Sequence, residues 1–234
     1  PGASAEFDEP EGLAVDSTGD VYVADTANQR IRKITRDGAV STLAGSGPTG
    51  YSKGFTGFAD GPGAAAQFNE PTGVAVDASG IIYVADEFNG RIRKITPDGT
   101  VSTLAGSGPT NGNLSREIDG PGDKADLDGP EELTVDASGN LYVTDNFGQT
   151  LRKVTPDGTV STLISATSVA GDHRSTLQYP DGVAVDAHGT VYVADGFEDQ
   201  IFKLTPDGKL SVFPGPGLIW VGTTSSGEVL ARGR

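Results

Sequence analysis

The 234-residue chain contains no cysteine and no methionine, and it has only two histidines and one tryptophan. Without cysteine there is no disulfide framework, no thiolate-ligated zinc and no thiol nucleophile. Two histidines, His173 and His188, cannot supply the several imidazole ligands that a zinc lyase needs. These absences argue against the commonest covalent and metal-dependent chemistries.

Basic residues are also scarce, because 17 Lys and Arg stand against 32 Asp and Glu, for a formal net charge of −15. Such a surface repels nucleic acid and anionic lipid and favours cations or basic partners as ligands. No apolar run approaches the roughly 20 residues of a membrane-spanning helix. We therefore expect no nucleic-acid binding and no membrane insertion.

Glycine and proline are abundant, at 34 and 14 residues, while apolar residues make up only 35% of the chain. This composition is typical of many short strands joined by many turns, and it does not suit long helices. It predicts an all-β protein of one large domain.

Four segments of the chain align with one another without gaps, starting at Pro10, Pro71, Pro130 and Pro180. Each contains an apolar inner strand, an Asp-x-x-Gly turn, a second apolar strand, an alternating third strand, a turn and an outer strand. In the first segment the strands are expected near 12–16, 21–25, 30–35 and 40–43. Four-stranded units repeated along a chain predict the antiparallel blades of a β-propeller.

The repeated unit resembles the NHL repeat. Its core reads P-x-G-[VL]-A-V-D-x-x-G-x-[IV]-Y-V-A-D-x-x-N-x-R-I-R-K-I-T-P-D-G, and a connecting D-G-P-G-x-x-A-x-F segment stands at 60–68. The chain starts with the same segment, from Pro1 to Phe7, so Pro1 is expected to be a processing boundary with any targeting segment outside it. The resemblance implies an NHL-type propeller and is specific for fold rather than function.

The repeats predict a single propeller domain over 1–234. Its four full units span about 7–47, 68–107, 127–164 and 177–213, and a partial fifth unit spans 216–234. Longer connections separate the units at 44–69, 105–129 and 164–179, a length that is uncommon in compact domains. Whether the fifth unit forms half a blade or belongs to a longer propeller is open at this stage.

Strand alternation assigns the loops to two faces. If a to d denote the strands of a blade from the inside outward, the tight a–b and c–d turns share one face. The b–c loops and the long connections share the other. Varied loops on a rigid frame favour binding, so the b–c side is the candidate binding face.

The candidate residues on that face recur in the b–c loops. The functional interpretation is a ring of carboxylates that binds a cation or a polar ligand. The alternative interpretation, which we favour, is a repeated Asp–Arg pair and turn that shape each blade. The phenylalanines either line the axial channel or join neighbouring blades. The candidate residues are Asp25, Asn28, Arg30, Asp86, Phe88, Asn89, Arg91, Asp145, Phe147, Asp195 and Phe197.

Other charged groups are interpreted as structural. Aspartates 16, 77, 136 and 186 precede Gly-containing turns and are expected to cap them. The acidic stretch at 119–128 lacks the calcium-loop pattern and is interpreted as solvated. The arginines and lysines of the third strands are interpreted as solubilising charge at the strand edge.

The sequence therefore favours a non-catalytic binding or scaffold module of a larger, secreted or cell-surface protein, with a protein or small polar ligand as partner. It offers no nucleophile–base pair and implies no cofactor. The alternative is a lyase or lactonase-type propeller enzyme with one calcium ion in the axial channel. In that case Asp25, Asn28, Asp86 and Asn89 would be the ligands.

Overall fold

The computed structural model describes residues 5–48, 57–109, 118–165, 177–197, 199–213, 218–223 and 229–233. These residues form four antiparallel four-stranded blades arranged as a β-propeller, followed by a two-stranded hairpin. The fold class predicted from the repeats is confirmed. Among the described residues, no helix is long and apolar enough to cross a membrane.

The strands follow the repeat closely. Blade 1 consists of β1 (Pro10–Val15), β2 (Val21–Asp25), β3 (Arg30–Ile34) and β4 (Val40–Ala44). Blade 2 consists of β6 (Pro71–Val76), β7 (Ile82–Asp86), β8 (Arg91–Ile95) and β9 (Thr100–Ala105), and the two-residue β5 (Gly61–Pro62) of the preceding connection pairs with β9 as an additional edge strand. Blade 3 consists of β10 (Pro130–Val135), β11 (Leu141–Asp145), β12 (Thr150–Val154) and β13 (Val160–Ile164). Blade 4 consists of β14 (Pro180–Val185), β15 (Val191–Asp195), β16 (Gln200–Leu204) and β17 (Leu210–Val212). The separate hairpin consists of β18 (Leu218–Thr223) and β19 (Val229–Gly233).

Each blade is apolar on both faces, and the two faces differ. Side chains alternate across a strand, so one face carries aliphatic residues and the other carries Ala, Tyr and Ile. Between blades 1 and 2, the Ala/Tyr face of blade 1 packs on the aliphatic face of blade 2, with Tyr22 and Ile31 against Val74, Ile82 and Val84. The same arrangement recurs between blades 2 and 3 and between blades 3 and 4. Tyr22, Tyr83 and Tyr142 therefore all pack between neighbouring blades.

The inner strands begin with a bulge that brings neighbouring blades together. In blade 2, Pro71 pairs with Asp86 but the next pair is Val74 with Val84, so Thr72 and Gly73 together lie opposite the single residue Ala85. A Cβ added to Gly73 would lie 2.6 Å from the Glu131 carbonyl oxygen of the next blade, a distance that only glycine tolerates. The bulge thereby holds the residue that follows each proline beside the same position of the adjacent blade.

The described parts of the long connections are built into the blades, which corrects their assignment to the binding face. Gly61 and Pro62 pair with the outer strand of blade 2. Ala66 and Phe68 are fully buried, as is Leu127 at the position of Phe68 in the second connection. The physical reason is that the small and apolar residues of the D-G-P-G-x-x-A-x-F segment fill the space between consecutive blades.

The hairpin at 218–233 has the backbone register of an inner strand pair. Leu218 pairs with Gly233 and Thr223 with Val229, with a register shift after Leu218 like the shift after Pro71. The hairpin thus has the same strand pairing as the first two strands of a blade. At the other end of the chain, the aliphatic face of blade 1 is uncovered, since Leu13 is 65% and Val15 is 57% exposed.

Candidate functional site

A buried aspartate is the centre of the hydrogen-bonding pattern that the b–c loops of the four blades share. In blade 2, the Asp86 carboxylate accepts hydrogen bonds from the Asn69 backbone N–H at 2.7 Å, from Asn89 Nδ2 at 3.0 Å and from Arg93 Nη1 at 2.7 Å. The side chain is 0% exposed. A carboxylate with three donors around it has little capacity left for a ligand.

The same aspartate bond recurs in every blade. The donors are the backbone N–H groups of Asp8, Asn69, Asp128 and Gln178, and the acceptors are Asp25, Asp86, Asp145 and Asp195. Each bond ties the b–c loop to the connection that enters the same blade. The structural interpretation of these four aspartates therefore fits their geometry. The functional interpretation would require the inter-element bonds to break.

The partner of the buried aspartate is the second arginine of the third strand, not the first. Arg93 is 0% exposed and reaches Asp86 at 2.7 Å and Asp60 at 2.6 Å. Its guanidinium also stacks near the rings of Phe58 and Phe68. Arg152 makes the corresponding contacts with Asp145 and Asp119. The prediction that Arg93 and Arg152 are solubilising edge charge was wrong, because the entering connection supplies a second carboxylate to each arginine and aromatic rings to Arg93.

The first arginine of the third strand is half-buried, and its side chain extends to the adjacent loops. Arg91 donates to the Asn89 and Ser107 carbonyl oxygens, and its guanidinium lies 4.0 Å from the Phe58 ring centroid. Arg30 donates to the Gly47 carbonyl oxygen at 3.1 Å. Asn28 and Asn89 are buried and donate to the aspartate of their own loop. These four candidate residues thus brace the loops from within.

The phenylalanines are the candidate residues that face solvent. Phe88, Phe147 and Phe197 occupy the same loop position in blades 2, 3 and 4, and they are 44%, 42% and 73% exposed. The Phe88 and Phe147 rings lie 6.2 Å apart, centroid to centroid, at 56°. The Phe88 and Phe147 rings thus touch across a blade boundary, and all three side chains remain partly open to solvent.

Sequence reasoning missed a second set of acidic residues beside these rings. We name Glu11, Glu87, Glu131, Glu132 and Asp181 the axial carboxylates. All but Glu87 lie in the bulges of the inner strands, and Glu87 opens the b–c loop of blade 2. In the sequence, the carboxylates of the bulges are marked only by the residues that follow the repeat proline. Those residues vary between repeats and indicate no site unless the bulge is known.

The axial carboxylates are close enough to alter one another's ionisation. Burial, followed by repulsion from Glu131, Glu70 and Glu11, raises the pKa of Glu87 to about 8. Burial raises the pKa of Glu132 to about 7, with Glu131 and Glu11 adding to the effect. Carboxylates from different blades thus share one region of negative potential at the axis.

The opposite face is occupied by its own turns. Asp77 accepts hydrogen bonds from the backbone N–H groups of Ser79 and Ile81 and from the Ser79 and Tyr83 hydroxyls, so the predicted capping is confirmed there. A shallow cavity of about 420 Å³ lies between the Asp77 turn and the equivalent turn of blade 3. The polar groups that line it are already engaged within their turns.

The remaining acidic and imidazole groups do not converge. Asp119 binds Arg152 and Thr162, while Asp126 accepts from the Ser107 hydroxyl. His188 lies in a turn of the opposite face, and His173 lies outside the described residues. Within the described ranges, no group of three or more Asp, Glu or His side chains could hold a metal ion.

Comparison with known proteins matches this architecture. The NHL repeat family matches residues 7–34 and 68–95, and the N-terminal part of the strictosidine synthase-like family matches 122–153. NHL repeat-containing protein 2 of Homo sapiens is 32% identical over 148 residues, which cover 60% of this chain and 20% of that protein. The chain thus spans about a fifth of that relative's length. The chain therefore contains NHL repeats, and they are part of a β-propeller.

Solved structures share the fold at low identity. Virginiamycin B lyase from Staphylococcus aureus has a TM-score of 0.60 at 16% identity, over 95% of this chain and 62% of the lyase. Another structure of that lyase, with quinupristin, is a catalytically inactive variant in which alanine replaces a histidine. A chain of a nidogen/laminin complex has a TM-score of 0.62 at 21% identity, over 92% of this chain and 69% of its own length. At these identities the similarity concerns the fold alone.

Proposed function

We propose that this chain is a non-catalytic binding and scaffold module, with its partner on the face of the b–c loops. The observation that supports the proposal is that the loop residues fall into a buried, hydrogen-bonded group and an exposed aromatic group. The buried aspartates, asparagines and arginines are engaged in bonds that hold the blades together, whereas Phe88, Phe147 and Phe197 are exposed. Exposed aromatic side chains on a rigid frame are typical of interaction surfaces.

The setting we propose is a larger protein that is secreted or displayed at the cell surface. Its support is the small share of the human relative that the chain spans, and the presence of a similar fold in a nidogen/laminin complex. The acidic surface, with a net charge of −15, suits a soluble module that meets basic partners.

The second candidate function is a lyase or lactonase-type enzyme with an axial calcium ion. The fold similarity to virginiamycin B lyase favours it. Against it, the carboxylate of the proposed ligand Asp86 already accepts hydrogen bonds from three donors. The dependence of that lyase on a histidine also has no counterpart in His188, which lies on the turn face.

Metal analysis separates the two functions. Protein purified without chelator is measured by elemental mass spectrometry, and its melting temperature is recorded with calcium and with EGTA. The binding-module proposal expects substoichiometric metal and the same melting temperature in both buffers. Stoichiometric calcium that is lost on Asp86→Asn, but retained in Asp98→Asn on the turn face, would replace the binding-module proposal with the enzyme.

The binding face is tested by hydrogen exchange with a native partner identified by cross-linking. We expect protection at 86–90 and 145–149 and unchanged exchange at 77–80 and 136–139. Protection confined to the second pair of segments would assign binding to the opposite face.

A further inference from the structure

The exposed phenylalanines form a strip that the fold does not require. Blade 1 has Ala27 at the same loop position, and this alanine is 1% exposed, so a small residue completes the loop without an aromatic ring. In blades 2 to 4 the position carries Phe88, Phe147 and Phe197. Three large apolar side chains left open to water on neighbouring blades are a cost to solubility unless something covers them.

The strip is a supported surface rather than a set of free side chains. Phe88 and Phe147 contact each other at a centroid distance of 6.2 Å. The Phe147 ring also lies over the backbone of Gly129, where an added Cβ would be 2.4 Å from Cδ2. Rings held on one side by backbone and neighbours lose little entropy when a partner covers the other side.

Negative charge lies directly beside the strip. Glu87 precedes Phe88 in the chain, and its carboxylate interacts electrostatically with Glu131, Glu70 and Glu11 of its own and the adjacent blades. An acidic region next to aromatic rings selects a ligand that is both cationic and apolar.

We propose that the strip of Phe88, Phe147 and Phe197, together with the axial carboxylates, binds a lysine- and arginine-rich segment of a partner protein. The aliphatic stems of the basic side chains lie on the rings, and their charged heads reach the carboxylates. Because the strip extends over three blades, it matches a segment with several such side chains better than one small cation. This inference rests on the proposed binding function and names its ligand class.

The test uses the chain of 234 residues and a fluorescein-labelled nine-residue peptide of alternating lysine and leucine, with binding followed by fluorescence anisotropy. Two control peptides replace the lysines by glutamate or the leucines by serine. We expect Phe147→Ala to weaken binding about tenfold, as for a buried aromatic anchor. At pH 9, where the Glu87 carboxyl with its pKa of about 8 is ionised, Glu87→Gln should weaken binding about threefold and reduce its salt dependence.

Matched variants remove the same kinds of group elsewhere. Asp98→Asn removes a turn-face carboxylate, and Leu13→Ala removes an exposed apolar side chain on blade 1; both should bind within about twofold of the unmodified chain. Wild-type affinity in Phe147→Ala, equal binding of the lysine–serine peptide, or equal weakening by Asp98→Asn would each overturn the proposal in favour of diffuse charge attraction. Full competition by free arginine ethyl ester at the peptide's own concentration would reassign the strip to small cations.

Failure of the ligand class and failure of the proposed function give different results. A native partner that protects 86–90 from exchange but does not compete with the lysine–leucine peptide would refute only the basic segment. Peptide binding that protects 77–80 instead would refute the binding face and the inference together.

Discussion

At the scale of single residues, Arg93 shows where the sequence stops being informative. The third strand alternates Arg-Ile-Arg-Lys-Ile, which is the pattern of a half-exposed strand. Yet Arg93 is fully buried, because Asp60 and Phe68 arrive from the preceding connection. The alternation gives the strand and its register, but it cannot reveal that a segment some 30 residues away in the chain covers one position of it.

The glycines of the c–d turns give a prediction at the same scale. Gly99 has φ of +83° and no neighbour within 4 Å of an added Cβ, whereas Gly158 has φ of +88° and would place its Cβ 2.5 Å from the Leu104 carbonyl oxygen. Gly99→Ala should cost about 1 kcal/mol of unfolding free energy from backbone strain alone. Gly158→Ala should cost more, because the clash adds to the strain.

Urea unfolding of the two variants measures the difference, with Gly208→Ala as a second case of strain without contact. Equal losses in Gly99→Ala and Gly158→Ala would show that the outer strand of the preceding blade yields to the new methyl group.

At the scale of elements, the b–c loop of blade 2 makes the stability of the chain depend on pH. The pKa of Glu87 is raised from 4.5 to about 8 by burial and by Glu131, Glu70 and Glu11. The folded state therefore binds more protons than the unfolded state between these values, and stability falls as pH rises through this range. Glu87→Gln should remove this loss.

We expect Glu87→Gln to raise the melting temperature by about 2–4 °C at pH 8, corresponding to about 1 kcal/mol, and to leave it unchanged at pH 4. Asp98→Asn serves as the control of opposite sign. Hydrogen bonds, first from Thr96, lower the pKa of Asp98, so its contribution is present at neutral pH and lost in acid. A Glu87→Gln effect that persists at pH 4 would show a packing change rather than relief of repulsion.

The elements themselves could be predicted from the sequence, and their assembly only in part. The strand at Val21–Asp25 and the turns at 77–80 follow from local alternation and turn chemistry. The axial carboxylates do not, because Glu131 approaches Glu87 only through an inner-strand bulge and the rotation between two blades. Proximity of that kind depends on blade geometry, which has no signature in a single repeat.

At the scale of the whole molecule, the two faces of a blade are complementary, and the aliphatic face of blade 1 is left exposed. The aliphatic faces of blades 2, 3 and 4 each pack on the Ala/Tyr face of the preceding blade, as Leu133 and Leu141 of blade 3 do. The aliphatic face of blade 1 has the same composition but remains exposed. Stability should therefore be distributed unevenly, with the interfaces between blades carrying most of it.

The equivalent leucines of blades 1 and 3 test this directly. Leu13 and Leu133 occupy the same inner-strand position, but Leu13 is 65% exposed and Leu133 is 3% exposed. Leu133→Ala should cost about 2–4 kcal/mol of unfolding free energy, since it removes buried methyl groups and leaves a cavity. Leu13→Ala should stay within about 0.5 kcal/mol of the unmodified chain, as for other exposed positions.

Chemical denaturation at several protein concentrations compares the two variants. A Leu13→Ala cost that approaches that of Leu133→Ala would mean that the face is covered in solution. If that cost grows with protein concentration, the cover is a second molecule; if it does not, the cover lies within the chain.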